Sequence, residues 1–205
     1  MSTELTDVRN EESPAAQAGE FVGVRFWIRT AARLIDWVVH YAVWFVASLI
    51  VGFGLGLYVA ATNGDIGALV QKMSSRPWYA YVFSALGLLF YHTVMEGMCG
   101  STVGKRLLGL VVISSEGKPV GWRAALGRSL AFYVDGLIFG IPAYDSMKPP
   151  LQQRLGDKWC GTLVVKRSTL PGDKVFTTHS FAATLLPGLL ADSACYFLTA
   201  IITLI

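Results

Sequence analysis

Charge is scarce in this sequence. Only 15% of its 205 residues are Asp, Glu, Lys or Arg, against about 25% in soluble domains. That is too little polar surface for a water-facing globule. Hydrophobic residues make up 53% and the mean hydropathy is +0.49, which excludes a disordered or collagen-like chain and points to a bilayer. Cysteine is also scarce. Cys99, Cys160 and Cys195 form no CxxC, and an odd number argues against a disulfide framework. They read as reduced, structural thiols. The three His are equally scattered, so no metal-ligand spacing is present and neither a metal nor another cofactor is expected. The net charge of +3 is small and the Lys and Arg are interspersed with apolar runs, which argues against a nucleic-acid-binding surface.

What the chain has instead is long apolar runs. Residues 1–20 carry Glu4, Asp7, Glu11, Glu12 and Glu20 against one Arg9, the reverse of a signal peptide, and read as a disordered acidic tail. Trp37 to Thr62 is 26 residues without a formal charge, and Pro77 to Met95 is 19 more. A helix needs about 20 residues to cross a bilayer, so spans are expected at about 27–62 and 77–98. A third apolar stretch, Leu130 to Tyr144, has 15 residues, contains Asp135, and is broken by Gly136, Gly140 and Pro142. It fits a short or re-entrant segment, about 124–146, better than a full crossing. A linker follows over 168–179. The last 26 residues, Ser180 to Ile205, are apolar except for Asp192 and can form a further helix, with a kink expected at Pro187-Gly188. The six Trp and eight Tyr suit bilayer interfaces.

Charge asymmetry sets the expected orientation. If the third segment dips in and returns, fifteen Lys and Arg lie on one side and two, Lys72 and Arg76, on the other. The positive-inside rule then places the N-terminus in the cytoplasm. Two β-prone runs, Leu110 to Ile113 and Thr162 to Val165, can pair only if both lie on that side. The expected fold class is therefore an all-α membrane protein, a helical transmembrane bundle with a re-entrant or short third segment and a small cytoplasmic β element.

Ionisable residues inside these apolar runs carry the functional argument, because such groups are costly at membrane depth. Arg29, Arg33, Asp36 and His40 share one helical stripe. His92 and Glu96, spaced i, i+4, end the antiparallel second span. Arg128 and Asp135 form a third stripe. Asp36, His40, His92, Glu96 and Asp135 are the candidate ion- or proton-binding residues. Two carboxylates in one poorly solvated site cannot both ionise easily, so Asp36 and Glu96 are expected to compete for a proton. Lys105, Arg106, Arg123 and Arg128 form a basic cytoplasmic segment.

Enzyme motifs are near misses. Gly100 to Arg106 has three residues between its glycines and Arg after Lys, where a phosphate loop needs four and a Ser or Thr. Asp145 and Asp157 do not form an intramembrane protease pair, since Asp157 is flanked by Arg154 and Lys158. No enzymatic role is expected.

Three segments resemble the RDD family of membrane proteins, named for one arginine and two aspartates. Arg29-Thr-Ala-Ala-Arg-Leu-Ile-Asp36 resembles its opening motif, Gly100 to Val112 its T-x-G-K-R-x-x-G-x-x-V segment, and Arg154 to Val165 its R-L-x-D-x-x-x-G-T-x-V motif. The resemblance covers about Val22 to Arg167 and implies that Arg29, Asp36 and Asp157 are the named residues. It implies a multi-pass bacterial inner-membrane protein. For function it points to a small transporter of cations or small solutes, with proton coupling and a homo-oligomer as expectations. The alternative is a non-transporting accessory or scaffold subunit that docks a protein partner.

Overall fold

The computed structural model describes residues 21–75, 77–135, 141–170 and 177–204. The expected acidic tail over 1–20 lies outside them. Three apolar runs become three long helices: α1 (Phe26–Thr62), α3 (Pro77–Cys99) and α8 (Phe181–Leu204). Windows within Phe26–Thr62, Trp78–Cys99 and Phe181–Thr203 are long and apolar enough to cross a membrane. The chain is thus an all-α membrane protein. At 37 residues, α1 is roughly 55 Å long, well beyond a hydrocarbon core of about 30 Å. It ends at Asn63, whose left-handed backbone (φ 50°) caps the helix by donating its N–H to the Val59 carbonyl. The short helix α2 (Ile66–Ser74) follows, with the Asp65 carboxylate accepting the Gly67 N–H at its start.

Beyond α3 the chain turns sharply. Gly100 adopts φ +66°, and a Cβ there would stand 2.9 Å from the Val112 carbonyl oxygen. The same turn lets Val112 N–H donate to the Gly100 carbonyl at 2.7 Å. Helix α4 (Val103–Leu107) leads into β1 (Leu110–Ser114), which pairs antiparallel with β2 (Thr162–Lys166) from Leu110↔Lys166 to Ser114↔Thr162. A two-stranded sheet alone is marginal. Here both faces are covered. Leu110, Val112 and Val164 pack with Val24, Ala32, Val120 and Ala125, while Val111, Ile113, Leu163 and Val165 pack with Phe21.

Between the strands lie α5 (Trp122–Asp135), α6 (Ile141–Ser146) and α7 (Leu155–Trp159). Among the described residues the third apolar stretch falls within α5 and α6, each under the length of a crossing. Residues 136–140 lie outside the description. Strand pairing places the chain before α5 and the chain after α7 on one side of the molecule. The Val24 N–H donates to the Val164 carbonyl at 2.9 Å and the His179 N–H to the Met98 carbonyl at 2.9 Å. The start of α1, the end of α3 and the start of α8 consequently meet at the sheet side.

Helix α8 packs against α3 and α1. Its fit depends on small residues. A Cβ on Gly188 would stand 2.6 Å from the Met95 sulfur, and one on Gly87 would run into the Asp192 carboxylate.

Candidate functional site

At the sheet side, charges from five helices interlock. Arg29 on α1 donates Nε to the Val24 carbonyl at 2.9 Å, Nη2 to the Gln152 carbonyl at 2.7 Å, and Nη1 to Oδ2 of Asp157. Asp157 on α7 also accepts Arg128 Nη1 at 2.5 Å. Arg128 on α5 donates Nε to Glu96 Oε2 at 3.0 Å and Nη1 to the Thr162 hydroxyl at 2.6 Å. Glu96 on α3 then accepts Lys105 of α4 through Oε1. The series Arg29–Asp157–Arg128–Glu96–Lys105 alternates in sign, and every member is buried.

Such alternation is what makes burial of charge tolerable, since each ion keeps a counter-charge and hydrogen bonds where water cannot help. Burial alone would raise the Asp157 carboxyl. The guanidiniums of Arg128 and Arg29 outweigh it and hold the group well below the ordinary carboxylate range. Burial pulls the Lys105 ammonium down to about 8, against the attraction of Glu96.

Asp36 is held differently. Its Oδ1 accepts the Gly104 N–H at 2.8 Å and the Tyr91 hydroxyl at 3.2 Å, and its Oδ2 accepts the Thr102 hydroxyl at 2.7 Å. Gly104 is required for this approach. A Cβ there would collide with the Ala32 carbonyl and stand 3.1 Å from Asp36 Cγ. The first helix is thereby locked to the start of α4 by a carboxylate and a backbone amide.

His92 lies between the two carboxylates, with Nε2 4.0 Å from Asp36 and Nδ1 3.7 Å from Glu96. These are too long for hydrogen bonds, and neither ring nitrogen has a hydrogen-bond partner among the described residues. Beside it is a cavity of about 10 Å³ lined by Arg33, Leu88, Leu89, His92, Ser129, Phe132 and Tyr133. That is scarcely room for one water. Arg33 itself stacks over Phe132 at 3.7 Å.

The structure brings Asp36, His92 and Glu96 together as expected, but not as two carboxylates competing for a proton. Glu96 is flanked by Lys105 and Arg128, and Asp36 is occupied by N–H and O–H donors. The basic segment also divides. Lys105 and Arg128 turn inward into the ion series, while Arg106 and Arg123 are exposed, so Lys105 to Arg128 is no continuous basic surface. Asp135 stands apart from His92 and Glu96. It is buried, lies 3.3 Å through Oδ2 from where a Gly156 Cβ would be, and accepts the Gly156 N–H. Burial raises its carboxyl.

His40 takes a partner the sequence reading missed. Its Nδ1 lies 2.9 Å from both oxygens of Asp192 on α8, and its Nε2 lies 2.8 Å from the Ser84 hydroxyl on α3. Trp44 Nε1 donates to Asp192 Oδ1 at 3.1 Å. The available signal was that Asp192 is the sole charged residue in an otherwise apolar tail.

The RDD family model matches residues 24–161. The chain belongs to the RDD family. The RDD match contains Arg29, Asp36 and Asp157 and stops before Asp192. Among similar proteins are two named proline-rich antigen homolog from strains of Mycobacterium tuberculosis. Each is 29% identical over 158 residues, covering 68% of this chain and 62% of its own length. The Mycobacterium leprae proline-rich antigen is 28% identical over 53% of this chain and 43% of its own. A Bacillus subtilis protein, uncharacterized protein YxaI, is 26% identical over 57% of this chain and 80% of its own. The matched stretch is thus under two thirds of the mycobacterial proteins. No solved structure matches.

Proposed function

We propose that this RDD protein is a small transporter of cations or other small solutes in the bacterial inner membrane, with its N-terminus in the cytoplasm. One observation carries the proposal. Ionisable side chains form a buried column from the sheet-side rim, at Arg29 and Asp157, through Glu96, His92 and Asp36, to His40 and Asp192 within the spans. A protein that needed only an anchor would gain nothing from ionisable groups at that depth, where they are expensive and commonly mark ion or proton pathways. Three spans make a thin conduit, so the transporting unit is a homo-oligomer. Proton coupling follows from histidine, the side chain whose charge changes near neutral pH.

The test is flux in proteoliposomes across a panel of monovalent and divalent cations, with and without a pH gradient. Uptake or proton movement that depends on one cation supports the proposal.

A second function is favoured by a specific feature. The ion series pairs each of its charges within itself, and the cavity beside His92 is about 10 Å³, too small for a hydrated ion. A non-transporting accessory subunit would need only this locked network and a protein partner. It predicts intact folding and no flux for any cation.

A further inference from the structure

The buried carboxylates of this protein differ in what neutralises them. Glu96 has Lys105 and Arg128, and Asp157 has Arg29 and Arg128. The guanidiniums keep their protons at any physiological pH, and Lys105 is held in its ion pair with Glu96. Asp36 has a backbone amide and two hydroxyls. Asp192 alone among these four carboxylates is hydrogen-bonded to an imidazole. Its counter-charge therefore exists only when His40 carries a proton.

The pair lies deep. His40 and Asp192 stand roughly 16–21 Å along α1 and α8 from their sheet-side ends, which is the middle of a hydrocarbon core about 30 Å thick when those ends mark the membrane face. Both are almost wholly buried, Asp192 at 0% and His40 at 3% exposure. The site is also built for the carboxylate. Gly87 on α3 leaves the space that Asp192 fills, since any Cβ there would collide with it. Trp44 and Ser84 supply the two remaining polar contacts. The other titratable groups facing the pair are Tyr41 and Asp36 on α1, Tyr91 on α3, and Cys195 and Tyr196 on α8.

We propose that His40 and Asp192, with Ser84, form a proton-binding site in the middle of the membrane. With neutral His40, Nδ1–H donates to Asp192 and Nε2 accepts the Ser84 hydroxyl proton. The pair then carries one negative charge. Binding of one proton at Nε2 makes an imidazolium. Its Nε2–H donates to Ser84 Oγ, and the serine hydrogen turns toward the carbonyl one helical turn earlier, as helical serines do. The pair is then neutral overall, and no other group need change its protonation. Loading and unloading a proton thus switches the net charge at mid-membrane between zero and minus one. The switch lies where α8 meets α1 and α3, on a helix that contains Pro187. The proposal rests on the transport function for the use made of this proton, and not for its binding.

The test is ¹⁵N NMR of full-length protein, ¹⁵N-labelled at histidine, in nanodiscs from about pH 5 to 9, the range in which histidine titrates. His40→Asn assigns the His40 signals. We expect His40 to pass from an Nδ1–H neutral tautomer to imidazolium as pH falls. Asp192→Asn, which keeps the shape, should cut the imidazolium fraction roughly ten-fold on the alkaline limb, the effect of losing one adjacent charge. A melting temperature of Asp192→Asn in the same nanodiscs that matches wild type reports that the site is still folded. A His40 fixed in one protonation state throughout, or a titration unaltered by Asp192→Asn, overturns the proposal. Flux measured on the same samples separates the two ideas. Titration without flux leaves the proton site standing and removes the transporter. Coupled flux with an inert His40 does the reverse.

Discussion

Arg29 and Asp157, 128 residues apart in sequence, meet in a buried ion pair that ties the start of the first span to the helix just before the second strand. Both are residues for which the RDD family is named, and Arg128 completes the contact from a third helix. The pair is a structural clasp. Its parts come from both ends of the family-matched stretch, so the network forms only once the whole domain is folded.

Removing one member of such a network strands the others. Asp157→Ala leaves Arg29 and Arg128 without their shared counter-charge and is expected to cost about 3–5 kcal/mol, as for other broken buried pairs. Glu96→Gln should cost a similar amount by stranding Lys105 and leaving Arg128 to Asp157 alone. Glu116→Ala, at the exposed Lys118 pair, should leave the melting temperature in detergent unchanged. Equal melting temperatures for all three variants would remove the energetic case for the clasp.

Acid should loosen the same clasp. The Asp157 carboxyl is lowered in the folded protein from an ordinary value of 3.8. A lowered carboxyl binds fewer protons folded than unfolded, so its stabilisation is fully present above about pH 4 and lost as pH falls through and below that value. Thermal melts from about pH 6 to 3, the range bracketing ordinary carboxylate values, should show a decline that is much shallower in Asp157→Asn. Parallel declines would assign acid lability elsewhere.

Two glycines are expected to be irreplaceable. Gly104→Ala drives a Cβ into the Ala32 carbonyl and Asp36, and Gly87→Ala drives one into Asp192. Both should lower solubilised yield and melting temperature. Gly52→Ala is the control, because nothing lies within 4 Å of the added atom. Full stability of Gly104→Ala would contradict the carboxylate-to-amide lock.

The pairing of β1 with β2 has a topological consequence. In a chain cleared of native cysteine, single cysteines at Glu116 and Thr169, both exposed, should react with a membrane-impermeant thiol reagent from the same side. One at Gly64 should react from the opposite side. Labelling of the first two from opposite sides would mean that the stretch between the strands crosses the bilayer.

Much of this architecture was legible in the sequence, for physical reasons. Uncharged runs as long as a bilayer is thick have one stable fate, so the spans could be placed from hydropathy. The two β-prone runs and the 15-residue third stretch fixed the sheet and the short helices between its strands. The seven-residue spacing of Arg29 and Asp36 is too far for a direct pair, so Arg29 needs a partner on another segment, and the structure supplies Asp157. Partner choice was less legible. Lys105 and Arg128 read as surface charges because nothing local shows that the turn at Gly100 swings Lys105 back onto Glu96. Asp36 finds an amide and hydroxyls rather than a cation, a match that depends on the backbone of 102–104. His40 pairs with Asp192 because α8, outside the family motifs, packs between α1 and α3. Helix rotation and order in a bundle are tertiary outcomes that hydropathy does not encode.

The most direct test of the account is proton movement in proteoliposomes. Purified wild-type protein with an internal pH indicator should show proton movement driven by at least one cation of the panel between about pH 6 and 9, which spans histidine titration. Asp192→Asn, still folded by its melting temperature, should lose that coupling. Absence of cation-dependent proton movement at every pH and for every cation, with the protein folded, would contradict transport and leave the buried column as the structural core of an accessory subunit.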